Sequence, residues 1–298
     1  MTMRAIPVLH LASAPVVGPA RVIHTESGAP GAMGGPRIDI GRNDIVVMAR
    51  RARAVPSSVD TAEIRRFAAL AEEWWAPEGR FRPLHALNPV RLAFIRDQMV
   101  RHYGLDPALR APLSGLEAID IGCGGGLLAE PVRRMGARVT GLDADAKGLA
   151  VARHHALESG LDIDYRLGCA EELAAAGPKF DIVLAMEIIE HVADRNAFLD
   201  ACAALIRPGG LFVAATLNRT PKAFALAIMG AEYLLRWLPR GTHDWRKFVR
   251  PSELAAGLRR NGLTVEALTG LSYDLGTGGW RLSRDTDVNY MIAAAKPA

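Results

Sequence analysis

From Leu116 onward, apolar residues fall into short continuous runs separated by stretches with helical spacing. Leu116–Ile121 is a run that stops at glycines, and Leu127–Met135 then recurs with the period of a helix. Arg138–Asp143 reads as a second strand and Ala146–Ser159 as a second helix. Ile163–Leu167 and Phe180–Met186 give a third and a fourth strand. Arg195–Ile206 gives a helix stopped by Pro208-Gly209-Gly210, and Leu211–Thr216 a fifth strand. Strands that alternate with helices make βαβ units, so the pattern predicts an α/β fold with a doubly wound, mostly parallel sheet. After an insertion at about 219–248, a helix over Ser252–Asn261 and strands over Leu263–Leu268 and Val288–Ala295 bring the sheet to seven strands.

Upstream, Asp60 or Thr61 can cap a helix carrying Ile64, Phe67, Ala68, Ala71 and Trp74/Trp75 at helical spacing. Pro77 and Gly79 stop it. A second helix is expected after Pro89, a residue suited to a first turn, and it closes at Tyr103-Gly104. Residues 1–58 keep no period and hold a Gly/Pro cluster from Gly28 to Pro36, as a disordered extension or an upstream start would. A targeting peptide is the alternative, because Met1–Thr25 carries Arg and few acids. Residues 59–298 then form one domain.

Composition narrows this picture. Half of the 298 residues are apolar and 23% are charged, which excludes wholesale disorder. The net charge of +4 comes without a dense basic run, so it does not point to nucleic acid. The cysteines Cys123, Cys169 and Cys202 are too scattered for a disulfide framework and fit a reducing, cytoplasmic compartment. No stretch reaches the roughly 18–20 uncharged apolar residues of a membrane span.

In a doubly wound sheet, ligands bind beyond the carboxyl ends of the strands. The first strand ends in Asp120-Ile121-Gly122-Cys123-Gly124-Gly125-Gly126, and Asp143 ends the second. Gly122 and Gly124 let backbone approach a ligand, and a carboxylate at position 143 can accept both hydroxyls of a ribose. A dinucleotide fingerprint would need a third glycine where Leu127 stands. An acid ahead of the glycines, Asp120, suits an ammonium or sulfonium better than a pyrophosphate.

These residues resemble the class I methyltransferases that use S-adenosyl-L-methionine. That resemblance implies Ala170 and Glu171 beside the adenine and Met186 against its face. Further segments resemble the ubiquinone biosynthesis O-methyltransferases. They are Phe81-Arg-Pro-Leu-His85 with Asn88-Pro89-Val90-Arg91, Ala156-Leu-Glu-Ser-Gly160, Met186-Glu-Ile-Ile-Glu-His191, Thr216-Leu-Asn-Arg-Thr220, Gly230-Ala-Glu-Tyr233, Gly241-Thr-His-Asp244 and Asp287-Val-Asn-Tyr-Met291. The likeness runs from about Thr61 to Lys296. It implies methylation of 2-polyprenyl-6-hydroxyphenol and of 3-demethylubiquinol, with Arg91 on the carboxylate of the cofactor.

Methyl transfer to a phenol is an in-line displacement on a sulfonium and requires the acceptor, with a pKa near 10, to lose a proton. His191 can take it as general base, with Glu187 beside it. Alternatively, Glu187, Glu190 and His191 can hold a divalent cation such as Mg²⁺ that acidifies the phenol. Their spacing puts all three on one face if a helical turn follows the fourth strand. The resemblance supports the cation for some members of the family. A solvated helix start with an orienting His is the plain alternative.

The insertion segment Pro221–Leu238 is apolar but interrupted by Lys222, Glu232 and Arg236. It reads either as a lid or as an interfacial segment resting on the inner membrane, with Arg236, Arg240, Arg246 and Lys247 at anionic headgroups. The polyprenylated substrate lives in that bilayer. Two other functions stay open: methylation of another lipophilic phenol or catechol, and a non-catalytic cofactor-binding scaffold among the other enzymes of the pathway. A nucleic-acid methyltransferase is disfavoured, because no aromatic follows Asn218 to stack a flipped base.

Overall fold

The computed structural model describes residues 57–298 except 77, 227–243, 275 and 277. The extension lies outside the described residues up to position 56, as does most of the insertion. The chain opens with α1 (Thr61–Ala68), a 3-10 turn at Ala71–Glu73 and the long α2 (Arg82–Tyr103). The alternating part follows as β1 (Glu117–Ile121), α3 (Ala129–Arg134), β2 (Arg138–Asp143), α4 (Ala146–Glu158), β3 (Asp164–Leu167), α5 (Ala170–Ala176), β4 (Phe180–Met186), α6 (Arg195–Leu205) and β5 (Ile206–Leu217). A single turn α7 (Pro221–Ala223), then α8 (Pro251–Arg260), β6 (Thr264–Asp274), β7 (Gly279–Ser283) and β8 (Asn289–Ala295) complete it.

The sheet order is β3-β2-β1-β4-β5-β8-β6-β7. β1 to β5 pair in parallel, and β8 runs antiparallel between β5 and β6. The central strands are apolar on both faces, because helices cover both. Ile182, Leu184 and Met186 of β4 join α2, α3 and α4 in one core. Val183 and Ala185 join α5, α6 and α8 in the other. The same two-residue alternation divides β5 and β8, so each strand serves two cores at once.

Several elements depart from the sequence reading; one is α5, a helix between the third and fourth strands that the pattern did not give. The first helix ends at Ala68 rather than running on to Trp75, because Trp74 and Trp75 turn onto the glycine loop. α2 starts at Arg82, with Pro83 in its first turn, and passes through Pro89. The interior proline is tolerated because Leu87, Arg91, Phe94 and Ile95 bury the helix on either side of it. Pro208-Gly209-Gly210 is not a stop between helix and strand. It lies within β5, where the pairing shifts register against β4. An eighth strand, β7, pairs with an extended β6 to make a hairpin at the sheet edge.

That hairpin depends on a bare backbone position. Gly270 pairs with Ser283 and Tyr290, and a Cβ there would lie 1.7 Å from the carbonyl oxygen of Asp285. Backbone cannot yield as a flexible side chain can. Gly270→Ala is therefore expected to cost about 2 kcal/mol or more, a fall of roughly 5 °C in Tm, read by circular dichroism. An unchanged melting curve would contradict the crowding.

Candidate active site

The chain winds outward from β1 to β3, then crosses back to place β4 on the other side of β1. At this switch point the carboxyl ends of β1, β2 and β4 border a cavity of about 950 Å³. Arg91, Asp120, Gly122, Gly124, Asp143, Ala170, Glu171, Met186, Glu187, Glu190 and His191 all line it. Ser58, which the sequence reading left in the extension, is buried there too: its N–H donates to Glu171 Oε1 (3.1 Å) and its carbonyl accepts from Ala193.

The glycine loop is folded back on β2. The N–H groups of Gly122 and Cys123 both donate to the Leu142 carbonyl, and Gly124 N–H donates to Asp143 Oδ2 at 2.8 Å. Gly124 has φ +52°, and a Cβ on it would fall 2.4 Å from the Trp74 ring. Trp74 stacks on Phe81 with ring centroids 3.7 Å apart. Trp75 stacks on His155 and donates its indole N–H to the Gly125 carbonyl at 2.8 Å. Asn88 reaches the Leu127 carbonyl at 2.9 Å. The N-terminal helices thus cover the loop itself; the two tryptophans were visible in the sequence only as an apolar pair.

Charge is concentrated here. Asp120 is buried, and burial followed by the nearby Asp143 charge pushes its pKa up to about 7, although Arg91 opposes this. Burial also raises Asp143, against the hydrogen bonds it accepts from Asp145 and Gly124. Asp120 Oδ2, Glu171 Oε2 and Arg91 Nε have no hydrogen-bond partner among the described residues. Two waiting acceptors and one waiting donor fit a ligand with an ammonium, an exocyclic amine and a carboxylate. Those are the polar groups of S-adenosylmethionine, so the donor set fits that cofactor.

The tip of β4 differs from the expected helical turn. Glu187 has φ +55°, which breaks any helix at that point and stores backbone strain in the cavity wall. The three side chains consequently do not share one face: the Glu187 and Glu190 carboxyls stay within hydrogen-bond reach of each other, while His191 turns to another partner. Glu187 Oε1 pairs with Arg91 at 2.8 Å, Glu190 Oε2 accepts from the buried Thr216 hydroxyl at 2.7 Å, and His191 Nδ1 faces Glu63 Oε2 at 3.3 Å. Burial, then the Glu187 charge, raises Glu190 well above the usual carboxylate range, which favours its protonated form. Among the described residues no three His, Cys, Asp or Glu side chains converge as a metal site. The arrangement does not fit a cation held by Glu187, Glu190 and His191 together.

Glu63 is the residue that sequence reasoning missed. It lies 128 positions from His191, on α1, and no local pattern marks it. Burial would raise its pKa, but hydrogen bonds and charges from His191, Lys247 and Arg66 outweigh burial and hold the carboxyl below its ordinary value. The Phe67 ring meets the imidazole edge-on at 5.2 Å. Lys247, expected at lipid headgroups, instead pairs with Asp60 (2.9 Å) and Glu63 (3.2 Å). Arg236 and Arg240 lie outside the described residues.

Known proteins resemble this chain in sequence and in fold. Residues 119–214 match the family described as methyltransferase domain. A ubiquinone biosynthesis O-methyltransferase of Chelativorans sp. (strain BNC1) is 57% identical over 241 residues, which cover 81% of this chain and 95% of the relative. One of the same name from Parvibaculum lavamentivorans is 56% identical over 250 residues, covering 84% and 99%. A magnesium protoporphyrin IX methyltransferase from Synechocystis PCC 6803, solved with bound SAH, shares the fold. Its TM-score is 0.51 at 18% identity, over 76% of this chain and 98% of that one.

Asp120 gives this site a measurable signature. Its folded pKa stands above the unfolded value, so folding stability is lost as pH rises from about 4 through about 7. Asp120→Asn is expected to melt higher than the native protein at pH 8, with the gain vanishing toward pH 4, while the affinity for S-adenosylmethionine falls at least about tenfold. Thermal unfolding and calorimetry at both pH values check this; a variant that is less stable at pH 8 would refute it.

Proposed function

The chain belongs to the ubiquinone biosynthesis O-methyltransferase family, and we propose that it methylates ring hydroxyls of polyprenylated phenols, with 2-polyprenyl-6-hydroxyphenol and 3-demethylubiquinol as acceptors. It is an S-adenosylmethionine-dependent O-methyltransferase of ubiquinone biosynthesis, with the class I methyltransferase fold. The observation that carries the acceptor chemistry is that one cavity holds both the unsatisfied Arg91–Asp120–Glu171 set and the His191–Glu63 pair.

When bound, the cofactor supplies an electrophilic methyl group on a sulfonium. On this reading Asp120 faces its ammonium, Arg91 its carboxylate, Asp143 the ribose hydroxyls, and Ala170, Glu171 and Met186 the adenine. Gly122 and Gly124 let the backbone approach it, the space their own side chains would take being filled by Ile188 and Trp74. His191 removes the acceptor proton. The ionised Glu63 selects the tautomer with hydrogen on Nδ1, which leaves the Nε2 lone pair as the base. The α1 and α2 cover excludes water from the displacement. Glu187, strained and paired with Arg91, forms the wall beside the reacting groups.

Delivery of the acceptor completes the proposal. No described helix is long and apolar enough to cross a membrane. Phe224 and Leu226, at the described start of the insertion, expose large apolar surface. They support an interfacial contact of 221–247 with the cytoplasmic face of the inner membrane, where the acceptor is dissolved.

Two measurements test this reading. His191→Asn is expected to lower kcat by about 10²–10⁴ with S-adenosylmethionine affinity retained, and treatment with a chelator to leave native turnover intact. Turnover that disappears on chelation and returns with Mg²⁺ would overturn the assignment of the proton to His191. The native protein is expected to float with anionic liposomes, and a variant lacking 221–238 to stay in the pellet while binding the cofactor. Equal flotation of both would refute the interfacial role.

A further inference from the structure

β7 is additional to the seven strands the sequence pattern predicts, and the hairpin it makes with β6 has an unusual composition for a sheet edge. Leu271 stands opposite Leu282, and Tyr273 opposite Trp280. Residues directly opposite share a face, and so do residues two apart, so these four side chains form one apolar strip. The strip is buried at one end and open at the other. Leu271 is 3% exposed and packs with Trp280 into the core that α2 shares, whereas Tyr273 is 44% exposed. The Tyr273 and Trp280 rings meet edge to face at 5.5 Å. On the next position, Arg281 pairs with Asp274, so the charge that usually guards an edge strand falls on the alternate position.

Leu271, Tyr273 and Trp280 line the same cavity as the candidate active site, and so does Leu226, which is 54% exposed. The cavity therefore has a polar end at the glycine loop and an apolar aromatic wall that continues to the protein surface. An acceptor ring is a small part of such a space. A water-exposed apolar strip continuous with a buried reaction site requires an apolar occupant connected to what reacts there.

We propose that this strip, Leu271, Tyr273 and Trp280 with Leu226, is a subsite for the linear apolar chain carried by the acceptor ring. The inference rests on the O-methyltransferase reading and adds to it the residues that select a tailed acceptor. Aromatic faces suit an isoprenoid chain, since they offer large rigid apolar area at little entropic cost.

The test compares two acceptors in micelles of fixed composition: one dihydroxybenzene ring with a farnesyl chain, and the same ring with a methyl group in its place. Tyr273→Ser and Trp280→Ser are expected to raise KM for the farnesylated ring on the order of tenfold more than KM for the methylated ring. Tyr273 and Leu226 are exposed, so Tyr273→Ser and Leu226→Ser decide the matter if Trp280→Ser fails to fold. Equal effects on both rings, or no effect on either, would overturn the subsite. Native protein that methylates neither ring would instead overturn the O-methyltransferase reading.

Discussion

The site is organised around a shortage of positive charge. Asp120, Asp143, Glu187 and Glu190 crowd the carboxyl rim of the sheet with the Arg91 guanidinium among them. Burial removes the water that would have screened them, so their pKa values move instead: Asp120, Asp143 and Glu190 all shift upward. Such a rim is unfavourable on its own and becomes favourable around a cation. A ligand bearing both a sulfonium and an ammonium answers that electrostatic demand, and the fold provides the frame that keeps the carboxylates from moving apart.

That frame owes much to α1 and α2, which contribute no strand or loop to the parallel sheet. The aromatic residues of the segment that joins them clamp the glycine loop from outside, through the Trp74–Phe81 stack and the Trp75 hydrogen bond to Gly125. The glycines are needed twice over, once for the tight turn and once because an indole occupies the space a side chain would take. Arg91 and Glu63 reach the cavity from the same two helices, so cover and chemistry arrive together.

Much of this was legible in the sequence, for a physical reason. Strands buried on both faces are continuous apolar runs, and β1, β2 and β4 were read nearly to their ends because nothing competes with that signal. The residues at their tips followed from topology alone. β7 was not legible: Gly279–Ser283 has few apolar positions, one glycine and two exposed residues, and it becomes a strand only by pairing with β6. Glu187, Glu190 and His191 were identified, but their arrangement was not. Their spacing implies one face only in a helix; with Glu187 at positive φ the two carboxyls stay together and His191 turns toward Glu63. Glu63 and Trp74 were illegible in principle, because their meaning comes from partners far away along the chain.

The Arg91–Glu187 pair leaves the guanidinium with a side to spare. One terminal nitrogen is held by Glu187, while Nε is buried without a partner among the described residues. Because a guanidinium carries five N–H donors, a second carboxylate would be received on Nε with the first still in place. Glu187 would then act as a fixed anion, held by its own backbone at φ +55°, that keeps the guanidinium aimed while the methionyl end is bound.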